Sequence, residues 1–144
     1  MKYDKYKNMS ALQFYALSFT WGLPMSLIGC IFFIALWCTG HRPKKYGHCW
    51  CFELSGKHLT GFELGWLFVV RKGSRASMKK HELGHAYQNA CILGLSMPIF
   101  SLISLSRFWL KKMGCKINYY GWWFEAQANE IGNYIMKEDS SDDT

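Results

Sequence analysis

One uncharged segment constrains the fold more than any other feature of the sequence. Residues 11–38 read ALQFYALSFTWGLPMSLIGCIFFIALWC and contain no Asp, Glu, Lys or Arg. This segment exceeds the roughly 20 residues needed to cross the hydrocarbon core of a bilayer. It lacks the short apolar run and the clear cleavage site of a signal peptide. We therefore expect an uncleaved transmembrane helix, bent near Gly22 and Pro24, rather than a helix buried in a protein core.

Positive charge is concentrated beside the apolar segments. The chain has 17 Lys and Arg residues against 10 Asp and Glu, which gives a formal net charge of +7. Three lysines lie within residues 2–7, and a basic stretch at 41–45 follows the first apolar segment. This placement suits anionic lipid headgroups, so membrane lipid is an expected partner. No RNA- or DNA-binding signature accompanies the charge, and we expect no nucleic-acid partner.

Residues 46–72 have the composition of short strands. The stretches 49–54 and 62–70 are rich in aromatic and β-branched residues, and Gly and Ser separate them. This pattern predicts two or three strands in a small antiparallel ribbon, packed against the helix that follows. The six cysteines are scattered, and two of them fall within residues 11–38. We expect free thiols rather than a disulfide framework, which favours the cytoplasmic side of a membrane for the globular part.

Residues 80–88, KHELGHAYQ, contain the pattern H-E-x-x-H. On a helix, residues four apart lie on one face, so His81 and His85 can bind the same metal ion. Glu82 would lie beside that ion, where its carboxylate can take a proton from metal-activated water. Gly84 lowers helix propensity, and close packing of another backbone would explain its presence. An exposed helix that carries the pattern by chance is the alternative.

A catalytic zinc site needs a third protein ligand and leaves a fourth position open. Residues 122–130, WWFEAQANE, favour helix, which places Glu125 and Asn129 on one face. Glu125 is the candidate third ligand, and Glu130 is an alternative without the same spacing context.

The two motifs together resemble the gluzincin class of zinc metallopeptidases, and the similarity extends from about residue 65 to 135. The resemblance implies that His81, His85 and Glu125 bind Zn²⁺ and that Glu82 is the general base. The family usually has Asp where this chain has Asn129, which can accept a hydrogen bond from a ligand histidine but adds no charge. The chain also resembles small uncharacterised bacterial membrane proteins with an H-E-x-G-H-x-x-Q motif. That similarity implies a location in a bacterial cell membrane.

A second uncharged run, ACILGLSMPIFSLISLS, occupies residues 90–106. The two motif histidines precede it and Glu125 follows it, so a straight crossing would separate ligands that must meet at one ion. Gly94, Ser96 and Pro98 interrupt the run and would let it fold back. We therefore predict a re-entrant apolar hairpin. Two complete spans around an intramembrane site are the alternative.

The expected fold is α+β and mainly helical. It comprises an N-terminal transmembrane helix, an antiparallel ribbon, the metal helix, the apolar hairpin and a C-terminal helix over 122–136 that carries the third ligand. We expect three parts: an N-terminal segment at 1–40, a zincin-like domain at 41–137 and a disordered acidic tail at 138–144.

The expected function is a membrane-anchored zinc metallopeptidase that hydrolyses peptide bonds in a peptide or protein substrate. An exposed edge of the ribbon could pair with an extended substrate, although a purely structural ribbon is the simpler expectation. Candidates for the donor that stabilises the oxyanion are His58, Tyr87, Tyr119 and Tyr120. The alternative is a non-catalytic membrane protein in which zinc is structural or absent.

Overall fold

The structure is a computed structural model that describes residues 2–137. Its helices are α1 (Asp4–Lys7), α2 (Ala11–Ser18), α3 (Leu23–Cys38), α4 (Ala76–Gln88), α5 (Met97–Lys112) and α6 (Trp123–Ile135). Its strands are β1 (Lys44–Tyr46), β2 (Cys49–Leu54), β3 (Gly61–Leu64) and β4 (Leu67–Arg71). The α+β, mainly helical class is confirmed. The acidic tail predicted at 138–144 lies outside the described residues.

The strands form one mixed sheet in the order β1-β2-β4-β3. β2 and β4 pair in parallel, whereas β1 with β2 and β3 with β4 pair antiparallel. The predicted antiparallel ribbon is therefore wrong. The physical reason is that four consecutive side chains of β4, at positions 67–70, are buried. A strand covered on both faces belongs inside a sheet, so β4 lies between β2 and β3, and β3 forms an edge.

The sheet separates two apolar clusters. On one face, Phe68 and Val70 of β4 belong to the cluster that contains Leu83 and Tyr87 of α4. Tyr3, Tyr6 and Phe14 from the N-terminal helices join this cluster. The other cluster combines sheet residues with side chains from α3, α5 and α6, among them Phe52, Leu67, Val69, Met25, Met97 and Phe124. All six cysteines are free, as predicted.

The first apolar segment is not one straight helix. α2 and α3 meet at an angle of 101°, and the Ser26 hydroxyl donates a hydrogen bond of 2.6 Å to the Ser18 carbonyl across this corner. The bend falls near Gly22, as predicted, and divides the apolar segment into two helices that together are long and apolar enough for one broken span. The reason lies in α2, whose Phe14 is fully buried and packs on Tyr87 with ring centroids 5.0 Å apart.

The helical stretch Ala76–Lys112 is long and apolar enough, by length and composition, to cross a membrane. The chain nevertheless reverses within it. A straight helix would place Ser104 roughly 35 Å beyond His81, whereas both side chains bond to the carboxylate of Glu125. α5 therefore folds back beside α4.

The reversal uses a π-helical turn at Asn89–Leu93 and a 3-10 turn at Gly94–Ser96. Gly94 has a φ of +48°, and a Cβ there would lie 2.1 Å from Nε1 of Trp21, so glycine is required. The chain then returns as one helix, Met97–Lys112, rather than as a short hairpin confined to 90–106. Pro98 does not interrupt this helix, because it lies in the first turn, where no backbone N–H is needed.

Candidate metal centre

Close contact between α4 and α6 builds the site. A Cβ on Gly84 would lie 1.9 Å from the carbonyl oxygen of Ala128, and one on Gly132 would lie 1.8 Å from the carbonyl oxygen of Lys80. The expectation that Gly84 admits another backbone is confirmed. Because both helices lack a side chain at these contacts, their backbones touch, and Glu125 at the start of α6 reaches the α4 histidines.

His81, His85 and Glu125 form a buried group that could hold a metal ion. The Nε2 atoms of the two histidines are 3.1 Å apart. Oε2 of Glu125 is 3.0 Å from Nε2 of His81 and 3.1 Å from Nε2 of His85. Tetrahedral ligands 2.0–2.1 Å from an ion stand roughly 3.3–3.4 Å apart. The three atoms therefore fit a tetrahedral ion after a movement of a few tenths of an ångström.

Side-chain amides orient both imidazoles. Nδ1 of His81 is 2.8 Å from Oδ1 of Asn129, and Nδ1 of His85 is 2.8 Å from Oε1 of Gln88. The Gln88 amide is fixed, because its NH₂ group donates to the carbonyl of Phe124 and to the side chain of Gln127. An amide oxygen only accepts, so each ring carries a proton on Nδ1, which leaves Nε2 as the nitrogen that would bind an ion.

The structure thus places Asn129 beside His81, where the sequence interpretation put it. The role of Gln88 was missed. Its signal was the spacing of three residues from His85 on the same helix, which brings the two side chains to one face.

The second oxygen of Glu125 is bound by α5. The Ser104 hydroxyl donates to Oε1 of Glu125 and lies 2.7 Å from the hydroxyl of Tyr119. Burial alone would raise the pKa of Glu125, but hydrogen bonds with His81 and His85 outweigh it and hold the pKa well below its usual range. Glu125 is therefore anionic at neutral pH. The sequence interpretation did not identify Ser104, one of several serines in an apolar run.

A cavity of about 340 Å³ opens in front of the group, between β3, α4 and α5. His81, Glu82 and His85 line it, and Glu125 lies behind them. A Cβ on Gly61 would lie 3.0 Å from Oε1 of Glu82, so β3 passes close to this carboxylate. Other lining residues are His58, Phe62, Glu63, Leu105, Phe108 and Tyr119.

The other residues that the sequence suggested for the site lie at different distances from it. His58 and Tyr119 line the cavity, whereas Tyr87 is only 1% exposed and belongs to the core under the sheet. The side chain of Tyr120 lies outside the described part of the chain. Glu130, the alternative ligand, accepts a hydrogen bond of 2.5 Å from Tyr3 and is not part of the metal-binding group.

Comparison with known proteins found no matching family model, curated protein or solved structure. The geometry of this centre is the basis for the function proposed below.

Proposed function

We propose that this chain is a membrane-anchored, zinc-dependent hydrolase of peptide bonds, in line with its resemblance to gluzincins. The observation that carries the proposal is the convergence of three ligand atoms beside Glu82 on the wall of an open cavity. Structural zinc sites are closed by four protein ligands. Within residues 2–137 the metal-binding group has three members, and the cavity beside it leaves space for water and substrate.

The proposed chemistry divides roles among residues already in place. Zinc held by His81, His85 and Glu125 would supply Lewis-acid activation of water and of the scissile carbonyl. Glu82 takes the proton of the attacking water and passes it to the leaving nitrogen. Tyr119 lies on the cavity wall and donates its hydroxyl proton to Ser104, whose own proton goes to Glu125. To stabilise the developing oxyanion, the Tyr119 hydroxyl would exchange this bond for one to the substrate.

β3 is the proposed substrate strand. It forms an edge of the sheet, and its residues Gly61, Phe62 and Glu63 line the cavity. An extended peptide can add to such an edge through backbone hydrogen bonds. The lining contributed by α5 is mainly apolar, with Met97, Leu105 and Phe108 among its members, so apolar substrate side chains are favoured there.

Anchoring in a membrane is supported by the surfaces of α3 and α5. Ile31 and Ile34 of α3 are 67% and 63% exposed, and Ile99 and Leu102 of α5 are 61% and 65% exposed. The two helices contact each other, and we call these exposed side chains the apolar helix face. A soluble monomer rarely exposes a large contiguous apolar surface, whereas lipid covers it without cost.

The test combines zinc analysis with peptide hydrolysis by the purified, membrane-extracted protein. We expect Glu82→Gln to retain zinc and to lose about 10²–10⁴-fold in turnover, because it removes the general base. His81→Ala should lose the metal. Glu130→Gln, a carboxylate change on α6 outside the metal-binding group, is the matched control and should retain both properties.

Other outcomes separate the proposal from its rival. Stoichiometric zinc without turnover of any member of a peptide library would favour a structural ion. Unchanged metal content in His81→Ala would contradict both functions.

A further inference from the structure

Glu63 is a buried carboxylate that the proposed chemistry does not use. It is 7% exposed and lies on β3. It shares a face of the strand with Gly61, since alternate residues point the same way. A Cβ on Gly61 would lie 3.0 Å from Oε1 of Glu82, so this face looks toward α4. Glu63 and Glu82 line the same cavity.

Only one oxygen of the Glu63 carboxyl has a partner. Oε1 accepts a hydrogen bond from the backbone N–H of Gly65. Oε2 is buried and has no hydrogen-bond partner among the residues that the structure describes. Burial raises the pKa of Glu63, and the nearby carboxylate of Glu82 raises it further rather than compensating its charge. A buried carboxylate without a compensating charge is unfavourable, so without a bound cation the Glu63 carboxyl is held protonated, and a bound cation would take the place of that proton.

Within residues 2–137 no side chain forms a hydrogen bond with Oε2 of Glu63. Lys111 and Lys112 line an adjoining cavity that Glu63 does not line. A second metal ion is disfavoured, because Glu63 belongs to no metal-binding group among the residues described. The natural complement to Oε2 is a cation that donates hydrogen bonds, enters through the cavity and belongs to the substrate.

We propose that Glu63 receives a primary ammonium group of the substrate and thereby selects peptides that present one beside the metal centre. The ammonium is either the α-amine of the first residue or the side chain of a lysine. This inference rests on the proposed function, because the substrate is taken to be a peptide. If Glu63 binds the α-amine, the chain is an exopeptidase. If it binds a lysine side chain, the chain selects substrates that have lysine next to the cleaved bond.

The first test measures binding rather than turnover. Three probes are titrated calorimetrically into the zinc-loaded full-length protein: leucinamide, N-acetyl-lysinamide and N-acetyl-leucinamide. We expect at least one of the two amines to bind 10-fold or more tightly than the neutral N-acetyl-leucinamide, and the amine that does so identifies the source of the ammonium. Glu63→Gln should abolish the preference by weakening the binding of the preferred amine 10-fold or more.

Glu53→Gln is the matched control, because Glu53 is paired with Lys79 at 2.7 Å and does not line the cavity. It should keep the preference. Equal binding of all three probes to the wild type would overturn the inference without any variant. So would an amine preference that survives in Glu63→Gln.

The second test separates the inference from the proposed function. Peptides that differ only in N-terminal acetylation, or only in lysine against norleucine, are compared as substrates. Equal cleavage of all of them would overturn the ammonium site and leave the hydrolase intact. Selective amine binding without any cleavage would overturn the hydrolase and leave the ammonium site intact.

Discussion

At the scale of single residues, Asn129 is the hydrogen-bond partner of His81, one of the three proposed zinc ligands. Its oxygen accepts the Nδ1 proton at 2.8 Å, but an amide stabilises the ring less than a carboxylate does. We predict that Asn129→Asp binds zinc more tightly than the wild type and that Asn129→Ala binds it about 10–100-fold more weakly. Competition with a chromogenic zinc chelator measures both changes.

Asn133 provides the control for this series, because it lies on the same helix with an exposed side chain. Asn133→Ala should leave the zinc affinity unchanged. Equal affinities for the wild type, Asn129→Asp and Asn129→Ala would show that the hydrogen bond to His81 does not tune the metal.

The buried carboxyl of Glu63 should also make the stability of the folded chain depend on pH. Burial raises the pKa of its carboxyl well above the ordinary value of 4.5. The folded chain therefore keeps this proton at pH values where the unfolded chain has released it. The free energy of unfolding is therefore highest below the ordinary pKa of the carboxyl. It falls as the pH rises and levels off once the pH exceeds the pKa in the folded chain.

Gln has no proton to release, so Glu63→Gln should gain stability relative to the wild type as the pH rises from 4 towards 8. The slope is at most about 1.4 kcal/mol per pH unit. Denaturant melts of both proteins across this range measure it. A difference in the free energy of unfolding that stays constant with pH would contradict the prediction.

At the scale of elements, Ser104 connects the apolar helix α5 to the metal centre. Its hydroxyl donates to Oε1 of Glu125, which leaves Oε2 between the two histidines. We predict that Ser104→Ala lowers zinc affinity by about 10–100-fold, because partners of a ligating carboxylate orient it. The chelator competition assay measures the loss.

Ser106 is the matched control for Ser104. It lies two residues further along α5 and is exposed, and its hydroxyl donates to the Leu102 carbonyl within its own helix. Ser106→Ala should bind zinc as the wild type does. Equal zinc affinity in Ser104→Ala and Ser106→Ala would mean that α5 does not hold Glu125.

The helices and strands also show which structural features can be predicted from the sequence and which cannot. Helical spacing places His81 with His85, and Glu125 with Asn129, on one face of their own helices. That the two pairs meet was implied by the resemblance to gluzincins. Even Gly84 was interpretable, since a missing side chain on a helix indicates close packing. Local periodicity carries this kind of information.

Features that depend on distant partners were not predictable. Whether β4 lies in the middle of the sheet depends on which layers cover it, which its short apolar run does not reveal. The bend near Gly22 was predicted, but its angle of 101° was not, because α2 is held by the contact of Phe14 with Tyr87, a residue far away in sequence. Ser104 and Glu63 matter for the same reason, because their roles arise only when α5 and β3 fold over α4.

At the scale of the whole molecule, the apolar helix face formed by α3 and α5 has cationic side chains near its ends. The guanidinium of Arg42 lies 4.0 Å from the ring centroid of Trp37, just after α3. The ammonium of Lys112 lies 5.4 Å from that of Trp109, in the last turn of α5. Tryptophan beside Lys or Arg is typical of the boundary between lipid tails and headgroups.

If lipid covers the apolar helix face, charges placed on it should make the protein extractable from a membrane. Ile34→Glu combined with Leu102→Glu places a charge on each helix of the apolar face, at a cost of about 2.5–3.5 kcal/mol per residue at the centre of a bilayer. We expect alkaline carbonate to extract this double variant, while the wild type stays in the membrane pellet.

The control is the double variant Ser55→Glu with Ser77→Glu. It adds the same charge at exposed positions, in the loop after β2 and on α4, and should stay with the membrane. Because the side chains of Ile34 and Leu102 are exposed and neither lines the cavity, the extracted double variant should retain its zinc. Retention of the double variant in the pellet would show that lipid does not cover this face.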